Sequence, residues 1–395
     1  MKVLHLIPSI GASRGGPSEA VLSMVAALRQ RSIDAAIVST DDDGAARLPL
    51  PTDRWLDVAG VPVRIFPRWS PPIGPLREFA YCPALGRWLN HNLDDWDLLH
   101  VHSLFSWPSS RGMAIARRRQ IPYLIHCLGH LQSWSLSQSA WRKRLYLLLI
   151  ERSNLNGASA LQATSPIEAA DFARLRLRPR VLDLPLGVTI PEPLAQPRRR
   201  LQEILPQLDP QAPCLLFLAR LHPKKQLECL LEALALLQRQ DPDQPWQLLI
   251  AGSGEPAYEQ QLRNLAARLG VAAHCHWLGF ISGERKNVVL QGSDWFVLAS
   301  AAENFGVAVA EALAAGTPVV LSPEVGLAPA VAAAGAGLLS AADPQALAHT
   351  LRAALTGSQL GFRQAARRLA EQNYSWSAIA GQLIHAYQSI LQAHA

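Results

Sequence analysis

Twice along this chain, short apolar runs alternate with longer segments whose apolar residues recur at helical spacing. Val3 to Ile7 reads as a strand, and Ser18 to Gln30 as an amphipathic helix through Val21, Met24, Val25 and Leu28. Strands follow at 35–39, 63–66, 98–102 and 123–126, with a helix around Leu85 to Leu93. Past residue 213 the pattern restarts, with strands at 214–219, 247–251, 274–278, 295–298 and 318–322 and helices at 226–238, 257–269 and 306–315. Apolar strands separated by helices demand parallel sheets covered on both faces, because parallel neighbours need a crossover to join them. The expected class is therefore α/β, with two Rossmann-like parallel-sheet domains. They are expected to face a central cleft, since ligands of such sheets bind beyond the carboxyl ends of the strands. The proline-rich stretch 191–212, with its Arg198 to Arg200 triplet, reads as the linker between a domain 1–190 and a domain 213–374.

Charge is unevenly spread over the two halves. Residues 1–200 carry 25 basic and 16 acidic side chains, net +9, against 12 and 15, net −3, in the remainder. A basic half suits an acidic substrate or an anionic membrane surface. Nucleic acid is not an expected partner, because the arginines come as scattered triplets without a reading motif. The five cysteines, Cys82, Cys127, Cys214, Cys229 and Cys275, contain no C-x-x-C pair, so neither a disulfide framework nor a zinc site is indicated. The opening MKVLHLIPSIG reads as a first strand, not a signal peptide. No apolar stretch approaches the ~18 to 20 residues that span a bilayer; LYLLLI at 145–150 comes nearest. A cytoplasmic location is expected, peripheral to the inner face of the membrane if the basic half touches it.

The most informative stretch is 298–322, LASAAENFGVAVAEALAAGTPVVLS. A strand ends, a loop carries Glu303, Asn304, Phe305 and Gly306, and a helix beginning near Val307 contains Glu311. Unpaired N–H groups at a helix start form an anion site suited to phosphate. Glu303 and Glu311 are eight apart, about 80° around a helix. They grip one polyhydroxylated ligand together if Glu303 lies in the loop; otherwise one is exposed and the other merely marks a helix start.

Residues 303–311 resemble the E-x7-E signature of the retaining glycosyltransferases of family 4, also called group 1, which have the GT-B fold. The likeness covers most of the chain. GGPSEAV at 15–21, LHVHS at 99–103, ATSPIEA at 163–169 and LPLGV at 184–188 resemble the family's N-terminal landmarks in order. Residues Arg220 to Lys225 match its R-x4-K segment, and IAGSGE at 250–255 and WLGF at 277–280 its later strand ends. The segment 374–390 is similar to a closing helix that, in the family, returns to the N-terminal domain, here over 375–395.

The resemblance assigns Arg220 and Lys225 to the diphosphate of a nucleoside diphosphate sugar, a job that fork-shaped and point positive charge suit. It places Glu311 on the nucleotide ribose, and Glu303 with the amides of Asn304, Phe305, Gly306 and Val307 on the donor sugar and phosphates. Gly15 and Gly16 would let the first strand–helix turn approach the same diphosphate. Beside Glu303, the candidate catalytic residues are histidines. The family usually has His or Arg after its fifth N-terminal strand, where this chain reads YLIHCLGHLQSW, with Leu128 in the matching place. His126 and His130 flank it, and His102 is a third candidate.

Asp41 to Asp43 form a D-x-D pattern that could hold a divalent metal, but its position after the second strand reads as a solvated acidic loop, and no obligatory metal or cofactor is expected. The segment 139–155, SAWRKRLYLLLIERSNL, pairs basic residues with an apolar run; it reads either as a helix lying on an anionic membrane or as a core helix with a basic surface. Together these readings describe a retaining hexosyltransferase that uses a nucleoside diphosphate sugar and a glycan or lipid-linked acceptor, in surface polysaccharide synthesis. A non-catalytic nucleotide- or glycan-binding module and a sugar-nucleotide epimerase are the alternatives.

Overall fold

Lys2–Ser9 (β1) offers no polar face to solvent: Val3, Leu4, His5 and Leu6 are all fully buried. Such a strand is stable only inside a sheet covered on both sides, and that is where it lies in the computed structural model, which describes residues 1–138 and 140–394. Ser139, which opens one helix expected from the sequence, and Ala395, which closes another, fall outside them. The chain divides into two compact units, residues 1–187 with 376–395 and residues 188–375.

The first unit is built on eight strands. After β1 come Asp34–Thr40 (β2), Trp55–Val58 (β3), Val61–Phe66 (β4), Leu98–His102 (β5), Tyr123–His126 (β6), Ala160–Ala163 (β7) and Arg180–Asp183 (β8). Their spatial order is β8-β7-β6-β5-β1-β2-β4-β3. All neighbours are parallel except β3 and β4, and Leu4 pairs with Ala36 on one side and Leu99 on the other. The antiparallel edge departs from the all-parallel expectation. It is a hairpin turned by Ala59 and Gly60, both at positive φ, and the half-exposed Trp55–Val58 is too short to give a periodic signal. The helix Trp376–His394 closes this unit, with the Tyr387 hydroxyl 2.8 Å from His100 Nδ1 and Arg31 donating to Ser377 Oγ at 2.9 Å.

The second unit carries Cys214–Leu218 (β9), Gln247–Ala251 (β10), Cys275–Gly279 (β11), Trp295–Leu298 (β12), Val319–Leu321 (β13) and Gly337–Leu339 (β14), all parallel, in the order β11-β10-β9-β12-β13-β14. β9 and β10 continue into segments that run side by side: a Cβ added at Gly252, whose φ is 135°, would lie 1.8 Å from the Ala219 carbonyl oxygen. Only glycine admits that approach.

The stretch 191–212, expected as a linker, folds onto this second unit. Pro197 occupies the first turn of a helix, Pro197–Ile204, where a missing N–H costs nothing. Leu201 on that helix is fully buried, and the Leu194 N–H donates to Gln291 at 2.8 Å. The prolines start and stop elements here rather than loosen the chain. Among the described residues no helix is long and apolar enough to cross a membrane.

Candidate functional site

Where neighbouring strands of an open parallel sheet send their connections in opposite directions, a crevice opens at their carboxyl ends. In the second unit that point lies between β9 and β12, and charge is concentrated there. Beyond β9, Arg220 is exposed and, among the described residues, pairs with no carboxylate. His222 Nδ1 accepts the Lys224 N–H at 3.1 Å and caps the 3₁₀ turn Pro223–Lys225. Beyond β12, the Ser300 hydroxyl and the Ala301 N–H donate to the Lys224 carbonyl at 3.0 and 2.9 Å. These bonds lash the cationic turn to the loop carrying Glu303, whose carboxylate pairs with the Lys225 ammonium. The Glu303 backbone is clamped as well: its N–H donates to the Glu324 carbonyl at 3.0 Å and its carbonyl accepts from Gly326 at 2.9 Å.

Asn304 is half-buried, and Phe305 is buried with its ring edge-on to Tyr374 at 5.7 Å. Gly306, at φ 93° and ψ 66°, turns the chain into the helix Val307–Ala314. The first amides of that helix have no intrahelical acceptor. One turn on, Glu311 Oε1 accepts from Lys286 Nζ at 2.7 Å. The two glutamates therefore stand differently, Glu303 in the loop and Glu311 within the helix, each half-buried with its own lysine. Burial, reinforced by the charges of Lys224 and Arg220, pushes the Lys225 ammonium down to about 7; the adjoining Glu303 carboxylate works against both. Burial also lowers Lys224, with Arg220 second. Three cationic side chains, Arg220, Lys224 and Lys225, thus share this turn, with the Glu303 carboxylate paired to Lys225.

In the first unit the corresponding point lies between β1 and β5. Past β1, Gly15 has φ 71° and Gly16 begins the helix Gly16–Gln30. A Cβ at either would meet no atom within 4 Å, so the space before this turn is open. The three aspartates after β2 correct the expectation of a solvated loop. Asp42 is buried and accepts from Arg14 at 2.7 Å and from the fully buried Arg68 at 2.7 Å. Asp41, equally buried, accepts the Arg68 N–H at 2.8 Å and pairs with Arg47 at 3.0 Å. Asp43 accepts the Ser13 N–H at 2.9 Å. They brace the turn that ends in Gly15 and Gly16.

His102 and His126 close β5 and β6 and are sealed from solvent, their Nδ1 atoms 3.4 Å apart. Burial lowers both, His126 to about 3. His130 keeps part of its surface in solvent; burial and then the Lys143 charge push it down to about 4. Its Nδ1 accepts the Leu104 N–H at 3.1 Å, which leaves the ring proton on Nε2. The loop between His126 and His130 is held by Glu168, which accepts the N–H groups of Gly129 and Thr164, each at 2.9 Å.

Two family models together span nearly the whole chain: the glycosyl transferase 4-like domain matches residues 15–187, and glycosyl transferases group 1 matches 203–376. The chain belongs to the group 1 glycosyltransferases. A D-inositol 3-phosphate glycosyltransferase of Frankia alni is 30% identical over 317 residues, 76% of each chain. Among solved structures, sucrose-phosphate synthase from Thermosynechococcus elongatus superposes over 100% of both chains with a TM-score of 0.78 and 22% identity. The Anabaena HepE protein, solved in complex with UDP and glucose, covers 98% of this chain and 100% of its own, with a TM-score of 0.74 and 20% identity. The fold is GT-B.

In this glycosyltransferase the structure gathers Arg220, Lys225, Glu303 and the Gly306 helix start around one switch point, with Glu311 following inside the helix. Gly15, Gly16, His102, His126 and His130 belong to the first unit. The sequence did not reveal Lys286 as the partner of Glu311, because nothing in the helix Gly283–Gly292 marks it. Lys224 stood beside Lys225 in plain view. Its carbonyl, which ties the two loops, carries no residue signature. Glu168 left one faint signal, the S-x-x-E spacing of a capping box.

Proposed function

We propose that this glycosyltransferase moves a hexose from a nucleoside diphosphate sugar to a hydroxyl of a glycan or lipid-linked acceptor, with retention of anomeric configuration. The observation that carries the reading is the cationic turn beyond β9, bound to the Glu303 loop and set against a bare helix start. A diphosphate supplies the negative charge that Arg220, Lys224, Lys225 and those amides are placed to meet. The UDP and glucose of the HepE complex support a donor of this class. Glu303 and the amides of residues 304–307 bind the sugar and phosphates, Glu311 the ribose hydroxyls, and Gly15 and Gly16 leave room for a diphosphate at the first turn.

Retention is the outcome that the resemblance to the family 4 enzymes implies. Glu303 and Glu311 each pair with a lysine, and in this reading both bind the donor, so no covalent sugar–enzyme bond is invoked. The acceptor hydroxyl then attacks on the face the diphosphate leaves, giving its proton to the departing phosphate, while the cations stabilise the charge that develops there. Of the three candidate histidines, His130 alone has surface with which to touch a substrate; His102 and His126 serve behind it. The basic first unit takes the acceptor at the inner face of the membrane, in synthesis of a surface polysaccharide.

The test is incubation with labelled UDP-, GDP- and ADP-hexoses, with and without lipid-linked acceptors. Transfer, or slow donor hydrolysis, that disappears in Glu303→Ala supports the reading, and proton NMR of the product reads the anomeric outcome. Donor binding without turnover would replace it with a binding module, and a changed sugar in the recovered nucleotide with an epimerase.

A further inference from the structure

The helical segment that follows residue 139 is turned the wrong way round for a core helix. It runs as Ala140–Tyr146, a π turn Leu147–Glu151, and Arg152–Asn156. Three of its polar groups, on Lys143, Tyr146 and Glu151, point inward. Lys143 Nζ donates to the Ser135 carbonyl at 2.6 Å and sits over the Phe105 ring. The Tyr146 hydroxyl lies 2.8 Å from Ser110 Oγ. Glu151, the one acidic residue of the segment, is fully buried and accepts from Ser110 at 2.7 Å and Phe105 N–H at 3.2 Å. Leu155 reaches the core and Leu147 packs against it, but four apolar groups point outward: Trp141 is 69% exposed, Leu145 49%, Leu148 66% and Leu149 68%.

At about 100° per residue Trp141, Leu145 and Leu148 fall within an arc of about 60°. Arg142 and Arg144 flank that arc on either side, both exposed, and Arg152 is exposed beyond it. The π turn adds to the effect, because widening the helix there brings Leu148, Leu149 and Ile150 to the surface together. An apolar ridge bordered by arginines, with its single carboxylate withdrawn, is built for a surface that is apolar beneath and anionic above.

We propose that this segment seats the first unit on an anionic lipid bilayer, with Trp141, Leu145, Leu148 and Leu149 entering the headgroup–acyl boundary and Arg142, Arg144 and Arg152 meeting lipid phosphates. Trp suits that boundary because its ring is amphipathic. Binding of this kind scales with buried apolar area plus attraction to anionic lipid. A second copy of the chain is the poorer occupant. A twofold contact would bring the arginine borders of the two copies together, and the segment exposes no acid to answer them. The inference is independent of the donor chemistry, since it concerns a surface that binds with no nucleotide present.

The full chain, without donor, is floated with vesicles of phosphatidylglycerol mixed with phosphatidylcholine and with vesicles of phosphatidylcholine alone. The expected result is strong preference for the anionic vesicles, weakened by added salt. Leu148→Glu with Leu149→Glu lowers that binding at least about tenfold, and Arg142→Glu with Arg144→Glu abolishes the preference. These side chains are exposed, so the circular dichroism melt stays unchanged and loss of binding is not loss of fold. Equal binding by wild type and Leu148→Glu/Leu149→Glu overturns the proposal, as does failure of the wild type to bind anionic vesicles. A concentration-dependent dimer that the same pair of substitutions dissolves, with no vesicle binding, gives the surface to a second copy instead.

Discussion

Acidification should weaken the first unit selectively, and the histidines beneath its strand ends set the size of the effect. His5, His100, His102 and His126 are all buried at the carboxyl-terminal half of the central strands. His5 Nδ1 lies 3.0 Å from His102 Nε2, and His100 lies between the Tyr387 hydroxyl at 2.8 Å and Gln162 at 3.0 Å. The Nε2 atoms of His5 and His126 are buried without a hydrogen-bond partner. Burial holds all four neutral, and a proton on His5, His100 or His102 would oppose a second on its neighbour. In the unfolded chain a histidine takes its proton near 6.5. For His126, lowered to about 3, stability is intact above pH ~6.5 and falls as the pH drops below it, by ~1.4 kcal/mol per unit, until about pH 3. Between pH 7 and pH 5 this residue alone removes ~2 kcal/mol. His5, His100, His102 and His130, the last lowered to about 4, shift in the same direction and deepen the loss. Against a domain stability of ~5 to 15 kcal/mol the first unit approaches unfolding near pH 5. The second unit has no fully buried histidine among its described residues, so it is the internal control. Hydrogen–deuterium exchange, corrected for intrinsic rate, should show residues 2–9, 98–102 and 123–126 losing protection between pH 7 and pH 5 while 214–218 and 247–251 keep theirs. His126→Gln should reduce the loss by about 2 kcal/mol. Unchanged protection in the first unit at pH 5, or a His126 ring titrating near 6.5 by NMR, would refute the argument.

Replacing Lys225 by Ala removes a charge-assisted contact worth ~1.5 to 3 kcal/mol, so kcat/KM for the donor should fall about 10- to 150-fold, and Lys225→Arg should restore part of it; an unaltered kcat/KM would remove Lys225 from the diphosphate site. Gly252→Ala should destabilise the second unit by ~3 kcal/mol or more, read as a lowered urea midpoint, because the obstructing atom is the Ala219 carbonyl and cannot swing aside. Gly306→Ala is milder: its Cβ would sit 3.1 Å from Val309 Cγ2, and a left-handed non-glycine residue costs ~1 to 2 kcal/mol. That cost should appear as weaker donor binding in calorimetry if the turn presents the helix amides. Glu168→Gln leaves one of its backbone partners poorly bonded and should cost ~1 to 3 kcal/mol of first-unit stability, with faster amide exchange at Gly129.

What could be read from sequence here, and what could not, divides along the range of the forces involved. β5, β6, β10 and β12 were legible to the residue because each is an apolar run bounded by turn chemistry, a signal that is local. β3 was invisible, since four half-exposed residues carry no period and are stabilised by pairing with β4. Proline misled at 191–212 for a related reason: its constraint on φ is local and suits a helix start as well as a linker, and the burial of Leu201 that decides between them depends on residues far along the chain. The site shows the same division at higher stakes. Glu303, Gly306 and Glu311 sit on one strand–loop–helix unit, so their spacing speaks for itself. Lys225 meets Glu303 across 78 residues, and Lys286 meets Glu311 across 25. Those contacts exist only because the sheet order sets β9 beside β12 and carries the helix Gly283–Gly292 against the helix that follows β12. The carboxylates were legible; that each already holds a lysine follows only from topology.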